Sequence, residues 1–231
     1  MKIAGIDGTS QGLCIAIGNW DNDEITQIGW LYIGSFYQLD ELDPFHAITI
    51  NIPIGLPETK KEKRLCDKLA KRLLSDRGSS LFKTPPRNTL TQTDPDTLRL
   101  LGVPIQTQNL LHKIKELDEW ITPEKQRIIK ETHPELVFIE LAKGQRLLSK
   151  KKDDGIKQRL ALLQELPIFK TLPLMEIVFG EKSHYQAFKV SDMVDSLACL
   201  VITTRIITNT AKSLPEDPEK DATGLYHSIW Y

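Results

Sequence analysis

The first part of the chain has the apolar pattern of β-structure. In residues 2–12 (KIAGIDGTSQG), small and β-branched residues indicate a strand buried on both faces, which ends at Asp7. Apolar residues resume at 13–17 and again at 24–34, so we predict three antiparallel strands joined by short turns. Residues 47–54 (AITINIPI) predict a fourth, buried strand that is interrupted at Asn51.

Helical spacing appears in the middle and at the end of the chain. Leucines recur at helical spacing in residues 58–75, and residues 95–120 predict two helical pieces separated by Gly102 and Pro104. Within residues 127–138, strand character resumes through Ile128 and Ile129 and ends from Glu131 on. Residues 190–207 predict the last long helix, with Ser191 as its N-cap. We therefore expect one domain over residues 1–231, with a helical insertion around 58–125.

Composition adds few constraints. The 231 residues carry a net charge of −1, so no global basic field indicates a nucleic-acid binder, although a local basic groove is allowed. The three cysteines are scattered and predict reduced core thiols. Because no apolar run reaches about 18 residues and no signal peptide is evident, we expect a soluble cytoplasmic protein without membrane contact.

Carboxylates stand where the predicted strands and the last helix end or begin. Asp7 ends the first strand, Glu131 ends the later strand two residues before His133, and Asp192 and Asp195 share one face at the start of the last helix. A buried carboxylate is costly unless a metal or a donor meets it. Taken alone, Asp7 fits either a metal ligand or an Asx-type turn cap, and His133 fits a structural hydrogen bond as well as a ligand.

Basic and hydroxyl side chains are concentrated in three segments. The polar face of 58–75 is rich in lysine, and a proline-stiffened loop at 76–88 follows it. Candidate phosphate-binding residues are Arg77, Ser79, Ser80, Lys83 and Arg87 from that loop and Lys152 from the basic run at 143–159. A solvated helix face and an ordinary surface loop are the alternative interpretations of the first two segments.

The order of these elements resembles the ribonuclease H-like fold. That resemblance implies an α/β protein with a mixed central sheet, three antiparallel strands followed by parallel strands, flanked by helices. Gathered carboxylates need a divalent cation, and oxygen-only ligation suits Mg²⁺ or Mn²⁺. Two such ions about 4 Å apart would stabilise the attacking and leaving oxygens of a phosphodiester.

The chain is similar over nearly its whole length to a predicted ribonuclease H-like nuclease family, family four-two-nine of the domains of unknown function. The motifs that carry this resemblance are GIDG from Gly5, INIPIGLP from Ile50, CDKLAKRLL from Cys66, RGSSLFKTPPR from Arg77, ETHPELVF from Glu131 and SDMVDSLA from Ser191. The resemblance implies a metal-dependent site at Asp7, Glu131, Asp192 and Asp195. The family usually has aspartate where this chain has Asn51. Asparagine still offers a neutral oxygen to a metal, but it removes one negative charge from the site.

Three functions follow as hypotheses. The first is a Mg²⁺- or Mn²⁺-dependent nuclease with Asp7, Asn51, Glu131, Asp192 and Asp195 at the metal, His133 positioning a water or leaving group, and nucleic acid as its partner. The second is a non-catalytic nucleic-acid or protein binding module, motivated by Asn51. The third is an ATP-dependent phosphotransferase of the actin and sugar-kinase superfamily, because the segment GIDGTS of this chain resembles the first phosphate loop of that superfamily. This short chain lacks the second phosphate motif that those proteins need.

Overall fold

A central five-stranded sheet organises the protein. The structure is a computed structural model that describes residues 1–182, 184 and 186–231. The strands of the sheet are β1 (Lys2–Gly8), β2 (Leu13–Asp21), β3 (Glu24–Ile33), β4 (Ala47–Asn51) and β5 (Ile129–Glu131). They lie in the order β3-β2-β1-β4-β5. The β1–β2 and β2–β3 pairs are antiparallel, whereas β1–β4 and β4–β5 are parallel, which confirms the predicted mixed α/β architecture.

The two faces of this sheet are covered by different helices. Successive side chains of a strand point to opposite faces, so Ile3 and Gly5 of β1 face one side and Ala4 and Ile6 face the other. A long helix crosses β1, β2 and β4 on the first side. Because both faces are covered, the central strands contain apolar side chains at almost every position.

Eight helices lie in the described part of the chain. They are α1 (Leu65–Leu74), α2 (Pro95–Leu100), α3 (Ile105–Gln108), α4 (Leu111–Trp120), α5 (Pro134–Ala142), α6 (Asp153–Gln164), α7 (Leu174–Lys182) and α8 (Val190–Ile207). Helices α1 to α4 lie between β4 and β5 in the chain. The predicted break at Gly102 and Pro104 separates α2 from α3, and Gly102 adopts φ +82°, which favours glycine.

The helix predicted over 58–75 is shorter than expected. It begins only at Leu65, because Glu62 closes a turn by accepting from the Glu58 N–H (3.0 Å) and from Thr59 Oγ1 (3.2 Å). Its buried face consists of Cys66, Ala70 and Leu74, while Leu65 is 44% exposed.

The last helix spans the predicted residues, but its N-cap is Lys189 rather than Ser191. The carboxylate of Asp192 accepts a hydrogen bond from the Lys189 N–H at 2.7 Å. Asp192 therefore satisfies the free backbone donor at this helix end, and the serine hydroxyl is not needed there.

The C-terminal segment packs back onto the sheet. A short ribbon pairs β6 (Ser213–Leu214) with β7 (Ile229–Trp230), and Trp230 bridges Thr132 just beyond β5. All three cysteines are buried and free of disulfides. Among the described helices, none combines the length and the apolar character needed to cross a membrane.

Candidate functional site

Two polar side chains meet where the parallel strands β1 and β4 end. The register pairs Asp7 with Asn51, so both side chains point to the face covered by α8. Asn51 Nδ2 donates a hydrogen bond to Asp7 Oδ1 at 2.7 Å. The turn that follows β1 is closed instead by the Thr9 hydroxyl, which bonds the Gly12 backbone. Asp7 is therefore not the cap of its own turn.

Helix α8 brings Asp195 to the same place. The helix packs so closely on β1 that a Cβ at Gly5 would overlap the backbone atoms Leu200 N and Ser196 O. Asp195 lies in the second turn of α8 and is only 2% exposed. Its Oδ1 atom is buried and has no hydrogen-bond partner among the described residues.

Burial and a neighbouring charge oppose the ionisation of Asp7. Burial raises the pKa of Asp7 well above its ordinary value, and the negative charge of Asp195 raises it further, with a smaller contribution from Asp192. Burial also raises the pKa of Asp195. Two buried carboxylates in this arrangement attract a cation.

Lys150 is the cation that this structure supplies. Its ammonium group donates to Asp195 Oδ2, and the charges of Asp195 and Asp7 raise the lysine pKa although burial opposes the shift. The Lys150 side chain remains 41% exposed. The lysine therefore enters from the solvent side of the pair.

A chain of hydrogen bonds connects Asp7 to the loop after α1. His133 Nδ1 lies 3.1 Å from Asn51 Oδ1, and His133 Nε2 lies 3.3 Å from Ser80 Oγ. Burial lowers the pKa of His133 to about 4, so the ring is neutral at pH 7. Since Asn51 turns its NH₂ group to Asp7, its oxygen accepts from Nδ1–H, and Nε2 accepts from the Ser80 hydroxyl.

Glu131 does not join this group, contrary to the sequence-based expectation. Its register partner in β4 is Ile50, so its side chain points to the opposite face of the sheet from Asp7 and Asn51. There it accepts from the Ile54 N–H at 2.8 Å and from the buried guanidinium of Arg64. Burial raises the pKa of Glu131 to about 7 although Arg64 opposes the shift.

A different glutamate lies near the cluster. Glu135, in the first turn of α5, accepts from Arg159 at 2.8 Å and from Arg77 at 3.1 Å. Its negative charge acts to raise the pKa values of Lys150 and His133. Because two arginines already bind it, Glu135 lacks the open lone pairs of a metal ligand.

The six predicted phosphate-binding residues are not gathered at one point. Ser80 reaches His133, and Arg77 contacts Glu135, so both border the cluster. Arg87 does not: it binds Asp118, Asp221 and Glu58 in a separate ionic network. Lys83 donates to the Gly102 carbonyl at 2.8 Å, and Ser79 and Lys152 are exposed.

The donor set suits at most a weakly held cation. Among residues 1–182, 184 and 186–231, no three His, Cys, Asp or Glu side chains are arranged to hold a metal. Asn51 turns its oxygen to His133, and Asp192 caps α8, so Asp7 and Asp195 are the available ligands. Mg²⁺ is commonly bound by one or two carboxylates together with water and substrate phosphates. Asp195 Oδ1, which has no hydrogen-bond partner among the described residues, is suited to be one of these carboxylate ligands.

Sequence reasoning missed Lys150, Glu135 and Arg64. Lys150 is the first of three consecutive lysines, and nothing in the sequence distinguishes it from its neighbours. Glu135 carried a usable signal, because an acid in the apolar run PELVF is bound to be buried beside a cation. Arg64 is hidden among the other basic residues before α1.

The comparisons with known proteins give a family and no individual relative. Neither the curated proteins nor the solved structures contain a significant match to this chain. A family model described as "Protein of unknown function (DUF429)" matches residues 5–220, a span that includes the sheet, Asp7, Asn51, His133 and Asp195. The chain therefore belongs to the DUF429 family.

Proposed function

We propose that this protein is a Mg²⁺- or Mn²⁺-dependent nuclease that hydrolyses phosphodiester bonds in DNA or RNA on a ribonuclease H-like fold. The observation that carries the proposal is the buried pair Asp7 and Asp195, with a raised pKa for each and an unpartnered Asp195 oxygen. A strand-end carboxylate facing one from the last helix is the arrangement expected of that fold. The resemblance of the sequence motifs supports the same assignment.

The cation would be bound by Asp7 and Asp195. When bound, it would supply Lewis-acid stabilisation of phosphate oxygens and a water of lowered pKa. We infer one ion rather than two, because Glu131 lies on the other face of the sheet and Asn51 presents its NH₂ group to Asp7. The ion is most readily accommodated together with a substrate phosphate, since the protein provides few ligands of its own.

The neighbouring side chains hold the pair in position. Asn51 fixes Asp7, and neutral His133 fixes the orientation of Asn51. Lys150 neutralises Asp195 until a cation or substrate arrives. In this role His133 is a positioning residue, because its two ring nitrogens are already bonded to Asn51 and Ser80.

Cleavage assays test the proposal directly. The purified chain is incubated with single- and double-stranded DNA and RNA in Mn²⁺, Mg²⁺ or EDTA, beside Asp7→Asn and Asp195→Asn. We expect cation-dependent cleavage that falls by about 10²-fold or more in both variants, as for other charge-stabilising groups. Asp217→Asn, at an exposed position, is the matched control. Absence of cleavage above the Asp7→Asn level on every substrate would reject the proposal.

One observation favours a non-catalytic binding module as the second candidate. The ammonium group of Lys150 donates to Asp195, and Asn51 stands beside Asp7 where the family that the sequence resembles usually has aspartate. Thermal melts with Mn²⁺ separate the two candidates. A rise in melting temperature that disappears in Asp195→Asn supports the nuclease, and no rise supports the binding module.

A further inference from the structure

A groove of about 900 Å³ is lined by α1, the segment before it, the loop after it and the turn after α2. Its volume falls within the range of roughly 300–1,000 Å³ that is usual for ligand sites. Five lysines line it: Lys60, Lys63, Lys68, Lys71 and Lys83. Neither Asp7 nor Asp195 lines this groove, so a ligand could bind there without contacting the carboxylate pair.

These lysines are available for an anion. In the described part of the chain, none of the five forms an ion pair with a carboxylate. The two acids that line the groove already have partners, Glu62 within its turn and Asp67 with Arg64, which also lines the groove, at 3.7 Å. The groove therefore has a positive surface in a chain whose net charge is −1.

Two of the ammonium groups are directed to one end of the groove. Lys83 Nζ donates to the Gly102 carbonyl at 2.8 Å, and Lys60 Nζ lies 3.5 Å from the Leu100 carbonyl. Both lysines would touch a Cβ placed on Gly102. The turn after α2 thus brings two cations together, as phosphate recognition requires.

The walls between the cations are apolar. Leu65 is 44% exposed at the rim, and Leu81 and Phe82 are half-buried along the side. Single-stranded nucleic acid offers both phosphates and exposed base faces, and bases stack on aromatic side chains. A duplex keeps its base faces inside and would use only the lysines.

The groove also leads to the candidate site. A small cavity shares Leu81, Phe82 and Thr84 with the groove, and its far side is lined by Asn51 and His133. Asn51 donates to Asp7, so this cavity extends from the wall of the groove to a hydrogen-bond partner of the carboxylate pair.

We propose that this lysine-lined groove binds single-stranded nucleic acid and presents it to the Asp7–Asp195 site. The assignment of the bound strand as a substrate rests on the proposed nuclease function. The binding itself does not, because it depends on the lysines and on Phe82 rather than on the carboxylates.

Binding assays in EDTA test the groove without cleavage. Short fluorescent oligo-dT and oligo-U are titrated with the full chain and with the triple variant Lys63→Gln, Lys68→Gln, Lys71→Gln at several salt concentrations. The slope of log K against log salt should fall by about 2 in the triple variant, since each phosphate contact on a single strand contributes about 0.7. The triple variant Lys157→Gln, Lys170→Gln, Lys212→Gln removes the same charge from other surfaces and should bind like wild type.

A second variant tests the apolar wall. Phe82→Leu retains an apolar side chain but loses the aromatic face, and we expect single-strand affinity to fall about fivefold or more. Thermal melts of all variants verify folding. Wild-type affinity and salt slope in the groove triple variant would overturn the proposal, and so would equal competition by duplex or by polyglutamate.

The two proposals fail in distinguishable ways. If the groove triple variant loses oligonucleotide binding in EDTA and the surface triple variant Lys157→Gln, Lys170→Gln, Lys212→Gln does not, the groove assignment stands whatever the cleavage assay gives. If cleavage occurs and requires Asp7 but the groove variants bind and cleave normally, the nuclease assignment stands and the groove assignment is wrong.

Discussion

Asp7 and Asp195 form a buried acidic pair whose charge is balanced by a lysine rather than by hydrogen bonds alone. A buried carboxylate needs a partner, and Asp195 has one oxygen bonded to Lys150 and one without a partner in the described structure. An arrangement that leaves an acceptor free costs stability, and such costs are common where a protein binds a ligand.

Replacing Lys150 should make the pair a better cation site. In Lys150→Met, Mn²⁺ no longer competes with the ammonium group. We therefore expect the affinity of the Asp7–Asp195 site for Mn²⁺ to rise about tenfold, equivalent to about 1.4 kcal/mol. Without Mn²⁺, the free energy of unfolding of the variant should fall by about 1–2 kcal/mol, because Asp195 loses its counter-charge. The loss is limited because the Lys150 side chain is 41% exposed and its charge is partly screened by solvent. Isothermal titration and thermal melts measure the two effects.

The matched control for this experiment is Lys151→Met. That side chain is exposed and adjacent in sequence, so it changes the same charge without touching Asp195. Equal Mn²⁺ affinity in the two variants would contradict a competition between Lys150 and the cation.

His133 should make the protein less stable in mild acid. The folded ring has a pKa of about 4, compared with 6.5 in an unfolded chain, so the unfolded state binds the extra proton first as the pH falls. Stability should therefore be fully present above about pH 6.5 and decrease between there and about pH 4. The difference between wild type and His133→Gln should reach about 3 kcal/mol over that window.

Chemical unfolding in EDTA at several pH values measures this difference. His46→Gln, at an exposed position, serves as the control and should follow the wild-type profile. Parallel pH profiles for wild type and His133→Gln would show that folding does not lower the pKa of this ring, which would contradict the prediction.

At the scale of elements, the contact between α8 and β1 decides whether the two carboxylates meet. Thr203 Oγ1 donates to the Ala4 carbonyl at 2.8 Å, and Thr49 Oγ1 donates to the Cys199 carbonyl at 2.6 Å. These bonds and the absence of a side chain at Gly5 bring the helix backbone close to the sheet. Asp195 reaches Asp7 only because this approach is close.

Gly5→Ala should therefore disturb both the fold and the site. The added methyl group would overlap backbone atoms of α8, which move less easily than side chains, so we expect a loss of at least about 1–3 kcal/mol. Gly29→Ala is the matched control, since nothing lies within 4 Å of its Cβ position in β3. Urea unfolding of the two variants should differ by that amount, and equal stabilities would contradict the close packing.

At the scale of the whole molecule, Arg87 connects segments that are distant in the chain. It binds Asp118 of α4 through two nitrogens at 2.9 Å, Asp221 of the C-terminal segment at 2.6 Å, and Glu58. These charge-assisted bonds raise the pKa of Arg87. The structure thus places Arg87, a predicted phosphate-binding residue, in an ionic network between three segments of the chain.

Arg87→Gln should lower the free energy of unfolding by about 2–4 kcal/mol, since it leaves a largely buried Asp221 without its partner. Arg99→Gln removes an exposed ion pair with Asp96 and should change stability by less than about 0.5 kcal/mol. Urea unfolding measures both variants. An Arg87→Gln variant as stable as wild type would mean that the network contributes nothing.

Apolar patterning predicted the first four strands, the break at Gly102 and the limits of α8, because local periodicity and turn residues act over short stretches of chain. The mixed sheet with its parallel strands was implied by the resemblance of the sequence to the ribonuclease H-like fold. The predicted start of α1 was wrong because a hydrogen bond from the Glu58 N–H to the Glu62 carboxylate competes with helix formation, and periodicity carries no such information.

Which polar side chains meet was decided by the tertiary structure. The sequence placed Asp7, Asn51, Glu131, Asp192 and Asp195 at the right ends of their elements. Strand register then put Asp7 and Asn51 on one face and Glu131 on the other, because neighbouring positions of a strand alternate between faces. Of three consecutive lysines, Lys150 is the one that contacts Asp195. Tertiary packing determines this contact, because the sequence does not distinguish the three lysines.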